Sequence, residues 1–184
     1  MKSASAHARR SPCRTAHDVH TRLATGAKTV VLDSPPETTV ELCDLPDDLT
    51  LRVEGSSRVQ ITDTTDRAEQ HAPAIVITGA AHAQLFGHTR AHAYTTATVD
   101  AFDHTRVTAH NRAAISAVDH AHVSAGENTT VYAYDHAAVH AHGDAQVHAT
   151  DSTRIVLHGN AHAAAARGVT IFGPARGNVT VTAR

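Results

Sequence analysis

Apolar positions along this chain recur in blocks of eight. From Val99 to His162 the sequence divides into VDAFDHTR, VTAHNRAA, ISAVDHAH, VSAGENTT, VYAYDHAA, VHAHGDAQ, VHATDSTR and IVLHGNAH. Position one is Val or Ile throughout. Position three is Ala except at Leu157, position five is Asp, Asn, Glu or Gly, and position seven is Ala or Thr. The frame extends back through AHAYTTAT and AQLFGHTR to IVITGAAH at Ile75, and more loosely forward to Ile171, Val179 and Val181. LRVEGSSR and VQITDTTD (Leu51 to Asp66) also fit, whereas RAEQHAPA (67–74) does not and reads as a loop or distorted corner. Alternate apolar residues at positions one and three predict a short strand. A small polar residue or Gly at position five predicts a corner, where left-handed geometry or local side-chain hydrogen bonding is needed. A helix is excluded, because eight does not fit a 3.6 period and Val, Thr, Asp and Gly are too common.

One octad cannot bury its own apolar face, so the blocks must stack into a solenoid. The outward positions set the coil length. Position four reads Phe86, Phe102, Val118, Tyr134, Thr150 in alternate blocks and Tyr94, His110, Gly126, His142, His158 in the others. Positions five and six alternate in the same way, with Asp103-His104, Asp119-His120 and Asp135-His136 in one series. The period is therefore sixteen. The predicted fold is all-β, a two-sided parallel β-solenoid with two octads per coil. At roughly 4.8 Å per coil, 75–184 makes about seven coils and roughly 33 Å, and 30–74 brings the total to about nine or ten.

Composition fits this picture. Of 76 hydrophobic residues in 184, 35 are Ala; Leu, Ile, Val and Phe together number 35, and Trp is absent. So few large side chains would signal disorder if net charge were high, but it is only −2. A thin core between two close sheets instead requires Val opposite Ala. No stretch approaches a transmembrane span, and the basic N-terminus lacks the apolar run of a secretory signal. Cys13 and Cys43 make no disulfide or metal framework. The expected location is cytoplasmic.

The ends read differently. Residues 1–10 are expected to be a disordered basic tail. Residues 11–26 read as an N-terminal capping helix, with Ser11 as N-cap, Pro12 at the first helical position, Gly26 past the end, and Ala16, Val19 and Leu23 on one face. Residues 27–184 form the solenoid, with irregular first coils over 27–74 and regular octads over 75–162. Val179 to Thr182 reads as a strand with no capping pattern after it. An open edge of this kind is expected to pair with a second copy, giving a tail-to-tail homodimer through Val179 and Val181. The alternatives are a capping strand from 30–50 or a locally blocked edge.

The V-x-A-x-D-x-A-x octads resemble repeat arrays of actinobacterial and phage proteins, over about two thirds of the chain. That resemblance implies a solenoid and brings no activity with it. The sixteen-residue period also resembles that of bacterial ice-nucleation proteins, but their regular Thr and Tyr rows are missing here, since Thr108, Ser116, Ser124 and Thr130 are scattered. The octads are similar, too, to V-x-G repeats of phage tail spikes. Those imply an intertwined trimer with a period of eight per chain, against which the sixteen-residue alternation stands.

Candidate chemistry lies in the rows. His88, His104, His120 and His136 recur at sixteen-residue steps, and stacked imidazoles on one edge are candidate ligands for Zn²⁺, Ni²⁺ or Cu²⁺. The plainer reading is a solvated polar row, with no dedicated cofactor. Phe86, Phe102 and Tyr134 form an outward aromatic row, either packed beneath 67–74 or part of a protein interface. The 75–184 array carries seven acids and seven Arg, which supports neither nucleic-acid binding nor nucleic-acid mimicry. No Ser/His/Asp set stands apart from the repeat, and the corner residues Asp103, Asp119 and Asp135 have a structural explanation. The sequence thus points to a non-catalytic structural or protein-interaction module that self-associates. The alternatives are a ligand-binding solenoid, for ice or divalent metal, and a toxin- or immunity-associated binding protein with an unidentified protein partner.

Overall fold

The computed structural model describes residues 11–65 and 72–173, and the backbone alone of 178–181. The predicted disordered tail, 1–10, lies outside the described residues. Among the described residues, one helix, α1 (Ala16–Ala24), precedes eighteen strands that alternate between two parallel sheets. The odd sheet stacks β1 (Thr29–Leu32), β3 (Thr50–Val53), β5 (Ala74–Ile77), β7 (Arg90–Ala93), β9 (Arg106–Ala109), β11 (His122–Ala125), β13 (Ala138–Ala141), β15 (Arg154–Leu157) and β17 (Thr170–Phe172). The even sheet stacks β2 (Thr39–Cys43), β4 (Arg58–Asp63), β6 (His82–Gly87), β8 (Thr98–Ala101), β10 (Ala114–Ala117), β12 (Thr130–Ala133), β14 (Gln146–Ala149), β16 (His162–Ala165) and β18 (Asn178–Val181). This is the two-sided β-solenoid that the octads predict.

From β5 onward each strand pairs in register with the residue sixteen positions later, as in Val107↔Val123 and Ile115↔Val131. The first coils depart from this rule: Val30 pairs with Leu51, Val40 with Val59, and Leu51 with Ile75. The last of these accommodates one extra octad, 67–74, the block that breaks the sequence pattern. Of that block, 67–71 lie outside the described residues. Register survives because insertions fall at corners, where the ladder makes no demand on chain length.

Positions one, three and seven of each octad point inward. Val99, Ala101 and Thr105 are buried, and so are their equivalents from Ala91 to Ala165, whereas Val169 and Ile171 in the last coil are only partly buried. Position three changes character along the axis. It is Leu32, Leu42, Val53, Ile61, Ile77 and Leu85 in the early coils and Ala from Ala93 to Ala149, all buried. The enclosed side-chain volume therefore shrinks away from the N-terminal end. Backbone hydrogen bonds between coils fix the spacing, with Thr98 N–H donating to Ala81 and Phe102 N–H to Leu85, each at 3.0 Å. Thr89 and Ser57 at position seven donate their hydroxyls to the corner carbonyls of Phe86 and Glu54, both at 2.7 Å. The buried hydroxyls of Thr105, Thr129 and Thr153 have no such bond.

The helix caps the N-terminal end. It starts later than Ser11, with Thr15 as N-cap: the Thr15 hydroxyl accepts from Asp18 N–H and the Asp18 carboxylate accepts from Thr15 N–H, a reciprocal capping box. The predicted span 11–26 is thus shorter, because Cys13 is drawn into an extended bridge with Leu32. Gly26 does terminate the helix, at φ 78°. Its N–H donates to Leu23 and that of Ala27 to Arg22, closing a Schellman turn. Val19 is fully buried, and Ala16 and Leu23 pack on the same core. Among the described residues, no helix is long and apolar enough to cross a membrane.

Candidate functional site

The corners place every outward row. Position five has positive φ at Thr95, Asp103, Asn111, Asp119, Glu127, Asp135 and Asp151, between 54° and 61°, and at Gly87, Gly143 and Gly159. The position-four carbonyl accepts from the position-seven N–H, as from Thr105 to Phe102 at 3.2 Å, so each corner is a tight turn. Its polar side chain has a defined task. Asp103 accepts from Gly87 N–H at 2.9 Å, Asn111 from Thr95 N–H at 3.1 Å, and Glu127 from Asn111 N–H at 2.8 Å. In these pairs the corner side chain covers a backbone donor of the preceding coil. Asp119 and Asp151 approach Asp103 and Asp135 N–H in the same way, both at 3.4 Å. Asp103, Asp119, Glu127 and Asp151 are thus bonded to the backbone of the preceding coil.

The histidines follow at position six. His88, His104, His120 and His136 form a ladder with ring centroids 5.4, 5.2 and 5.3 Å apart, the middle pair tilted by 35°. Rings stacked face to face keep their nitrogen lone pairs parallel rather than convergent. Among the described residues, no group of three His, Cys, Asp or Glu side chains is arranged to hold a metal ion. On the opposite corner Tyr94 stacks on His110 at 4.9 Å, and the His142 ring fills the space above Gly126 that a side chain would need. Phe86 and Phe102 stack at 4.8 Å, but Val118 separates them from Tyr134, which is 38% exposed. Val179 and Val181 belong to β18, in register with Ala163 and Ala165; their side chains lie outside the described residues.

A concave feature, not anticipated from the sequence, lies on the odd sheet. Its outer face over β7, β9, β11 and β13 and the segment Ala72–Ala74 enclose a groove of about 520 Å³. Position eight contributes Arg90, Arg106 and His122, and position two contributes His92, Thr108, Ser124 and His140. The groove continues around the corner to His88 and His104. The signal was present in the sequence, since positions eight and two of the odd-sheet octads carry cations, imidazoles and hydroxyls. Recognising it required knowing that these rows share a face and that 72–74 walls it.

Desolvation against the sheet lowers the His122 pKa first, and Arg106, His140, His104 and His120 lower it further. On the even sheet, by contrast, His82 pairs with Asp100 at 2.9 Å. A depressed folded-state pKa means that the unfolded chain binds the proton more tightly. The His122 contribution to stability is complete above the unfolded value of roughly 6.5, and is lost as the pH falls below it through the folded value. His122→Gln should therefore lose less of its urea midpoint than the unmodified protein on acidification from about pH 7.5 to about pH 5. Identical slopes for the two proteins would contradict this.

No protein-family model, curated protein or solved structure matches the chain.

Proposed function

We propose that the protein is a non-catalytic, rigid interaction module that self-associates through the end of the solenoid opposite α1. The observation that carries this reading is the asymmetry of the two ends. At the first coil, α1 lies against β1 and β2, and Cys13 bridges the outer edge of β1. At the other end, β17 pairs only with β15 and β18 only with β16 among the described residues. An unpaired parallel edge is a template for another strand. Two copies meeting there about a two-fold axis make a closed, self-complementary contact, in keeping with a dimer. A non-catalytic role is supported by the corner carboxylates, which are engaged in capping backbone N–H groups.

The test uses the direction of the edge groups. In a parallel ladder, alternate residues turn both backbone groups to the same side. Asn178 and Thr180, by analogy with Thr98 N–H donating to Ala81 in the coils below, serve β16. Val179 and Val181 then present theirs to the open side. Val179→Pro removes an outward donor and, among the described residues, no intrachain bond, and Pro is tolerated on such an edge. Sedimentation velocity should show a concentration-dependent dimer for the unmodified protein and a monomer for Val179→Pro with unchanged far-UV circular dichroism. A monomer at every concentration for both proteins would overturn the proposal.

A further inference from the structure

We propose that the imidazole pair His120 and His136, on the corner ladder, is a binding site for a divalent transition-metal cation of the Ni²⁺, Cu²⁺ and Zn²⁺ class. Three observations carry this. First, the corner backbone holds the two residues in register. His120 N–H donates to the Asp103 carbonyl and His136 N–H to that of Asp119, both at 3.0 Å. The two side chains therefore leave equivalent corners one coil apart. Their rings stack at 5.3 Å with planes 7° apart. Two nitrogens that share one ion stand about 3–4 Å apart, given metal–nitrogen bonds of about 2.0–2.1 Å. Each ring must therefore swing by about one ångström to bring a nitrogen onto a common ion. Both residues are exposed, so side-chain torsions supply that movement while the backbone ladder stays in place.

Second, the local charge suits a cation. Asp119 and Asp135 immediately precede the two histidines, and so place two carboxylates beside the pair. Arg90 and Arg106 lie instead at the other end of the ladder, with His88 and His104. Third, the site is complete without the block that breaks the octad pattern. His120 and His136 lie on the corners after β10 and β12, three and four even-sheet corners beyond that block. The pair supplies two ligands and water completes the coordination. This agrees with the lack of a three-residue cage among the described residues. Imidazole selects this class of ion over Mg²⁺ and Ca²⁺, which prefer oxygen ligands.

The experiment is isothermal titration of the full-length protein with nickel chloride, in a buffer that does not itself bind the ion, with magnesium chloride as the counter-probe. His142→Ala is present in every protein, because His142 and His158 are the other histidines spaced sixteen residues apart. Two double variants then remove the same number of imidazoles from the ladder. His88→Ala/His104→Ala leaves His120 and His136 as neighbours. His88→Ala/His120→Ala leaves His104 and His136 two coils apart, at roughly 10 Å, which is too far for one ion. The first variant should bind one Ni²⁺ saturably, and the second at least about tenfold more weakly, with circular dichroism unchanged in both. Adding His136→Ala to the first variant should bring it to the level of the second. Neither should respond to Mg²⁺. Equal Ni²⁺ affinities for the two double variants would show that the number of histidines, not their register, sets binding, and would overturn the proposal. So would a first variant that does not saturate, or one that binds Mg²⁺ as tightly.

Discussion

Ile115→Ala should destabilise the protein by about 2–5 kcal/mol, towards the upper part of that range. Ile115 is 1% exposed, in the middle of the even sheet, with Val99 and Val131 directly below and above it in register. The cost of a truncated core side chain depends on how far its surroundings can close over the space. Here they can close very little. The ladders hold Val99 and Val131 at fixed spacing, and the neighbouring position-three residues Ala101, Ala117 and Ala133 have no side chain to swing inwards. In a stack where each coil touches only its neighbours, the defect also weakens the coupling between the two halves. Urea denaturation followed by circular dichroism should show a lower midpoint and a broader transition. A loss below about 1 kcal/mol would mean that the two sheets can collapse together, which the register argument forbids.

Gly87→Ala should cost about 3 kcal/mol or more, from a single methyl group. Positive φ alone does not account for this, because Asp103, Asn111 and Asp119 occupy equivalent corners at 55–58°. The difference is in the ladder. β6 runs into its corner and pairs with β4 as far as Gly87↔Asp63, which places Gly87 directly over the Asp63 backbone. A Cβ there would fall far inside van der Waals contact with the Asp63 carbonyl oxygen. Gly159 is the control. Its φ is 65°, but the nearest atom to an added Cβ is 3.6 Å away, so Gly159→Ala should cost only about 1–2 kcal/mol. Equal midpoint losses for the two variants would show that φ, and not contact between stacked backbones, sets the cost.

These residues also show how far the sequence could be followed. The octad predicted the solenoid, the two-sheet alternation and the buried positions, because period two and period sixteen are both written directly into side-chain type. It predicted left-handed corners for the same reason. It did not predict the purpose of the corner acids. Asp103 and Glu127 each serve a backbone donor one coil earlier, sixteen residues away, and that relation appears only once the coil is closed. Ser11-Pro12 fits an N-cap locally, as Thr15 does, but the helix is capped at Thr15, four residues later. The extended bridge of Cys13 to Leu32, a long-range contact, decides between them. The groove is not legible in the octads, because it joins rows from different octad positions to a wall supplied by the one block that breaks the pattern. Phe86, Phe102 and Tyr134 share one octad position in the sequence. In the folded chain Val118 divides them, and only the first two touch.

The in-register stack also makes the coil a unit of mechanical length. Neighbouring coils are joined by hydrogen bonds that lie along the solenoid axis, as from Ala114 N–H to Ala97 and from Thr130 N–H to Ala113. Tension applied between the two ends pulls on these bonds in the direction in which they break. It loads successive coils in series, not all strands at once. Each sixteen-residue coil that peels away exchanges an axial rise of roughly 4.8 Å for a contour length of roughly 54 Å, a gain of about 50 Å per step. The coil carrying the extra octad would yield about half as much again. Under tension the protein is therefore a ruler with nearly uniform divisions and one long division near its capped end.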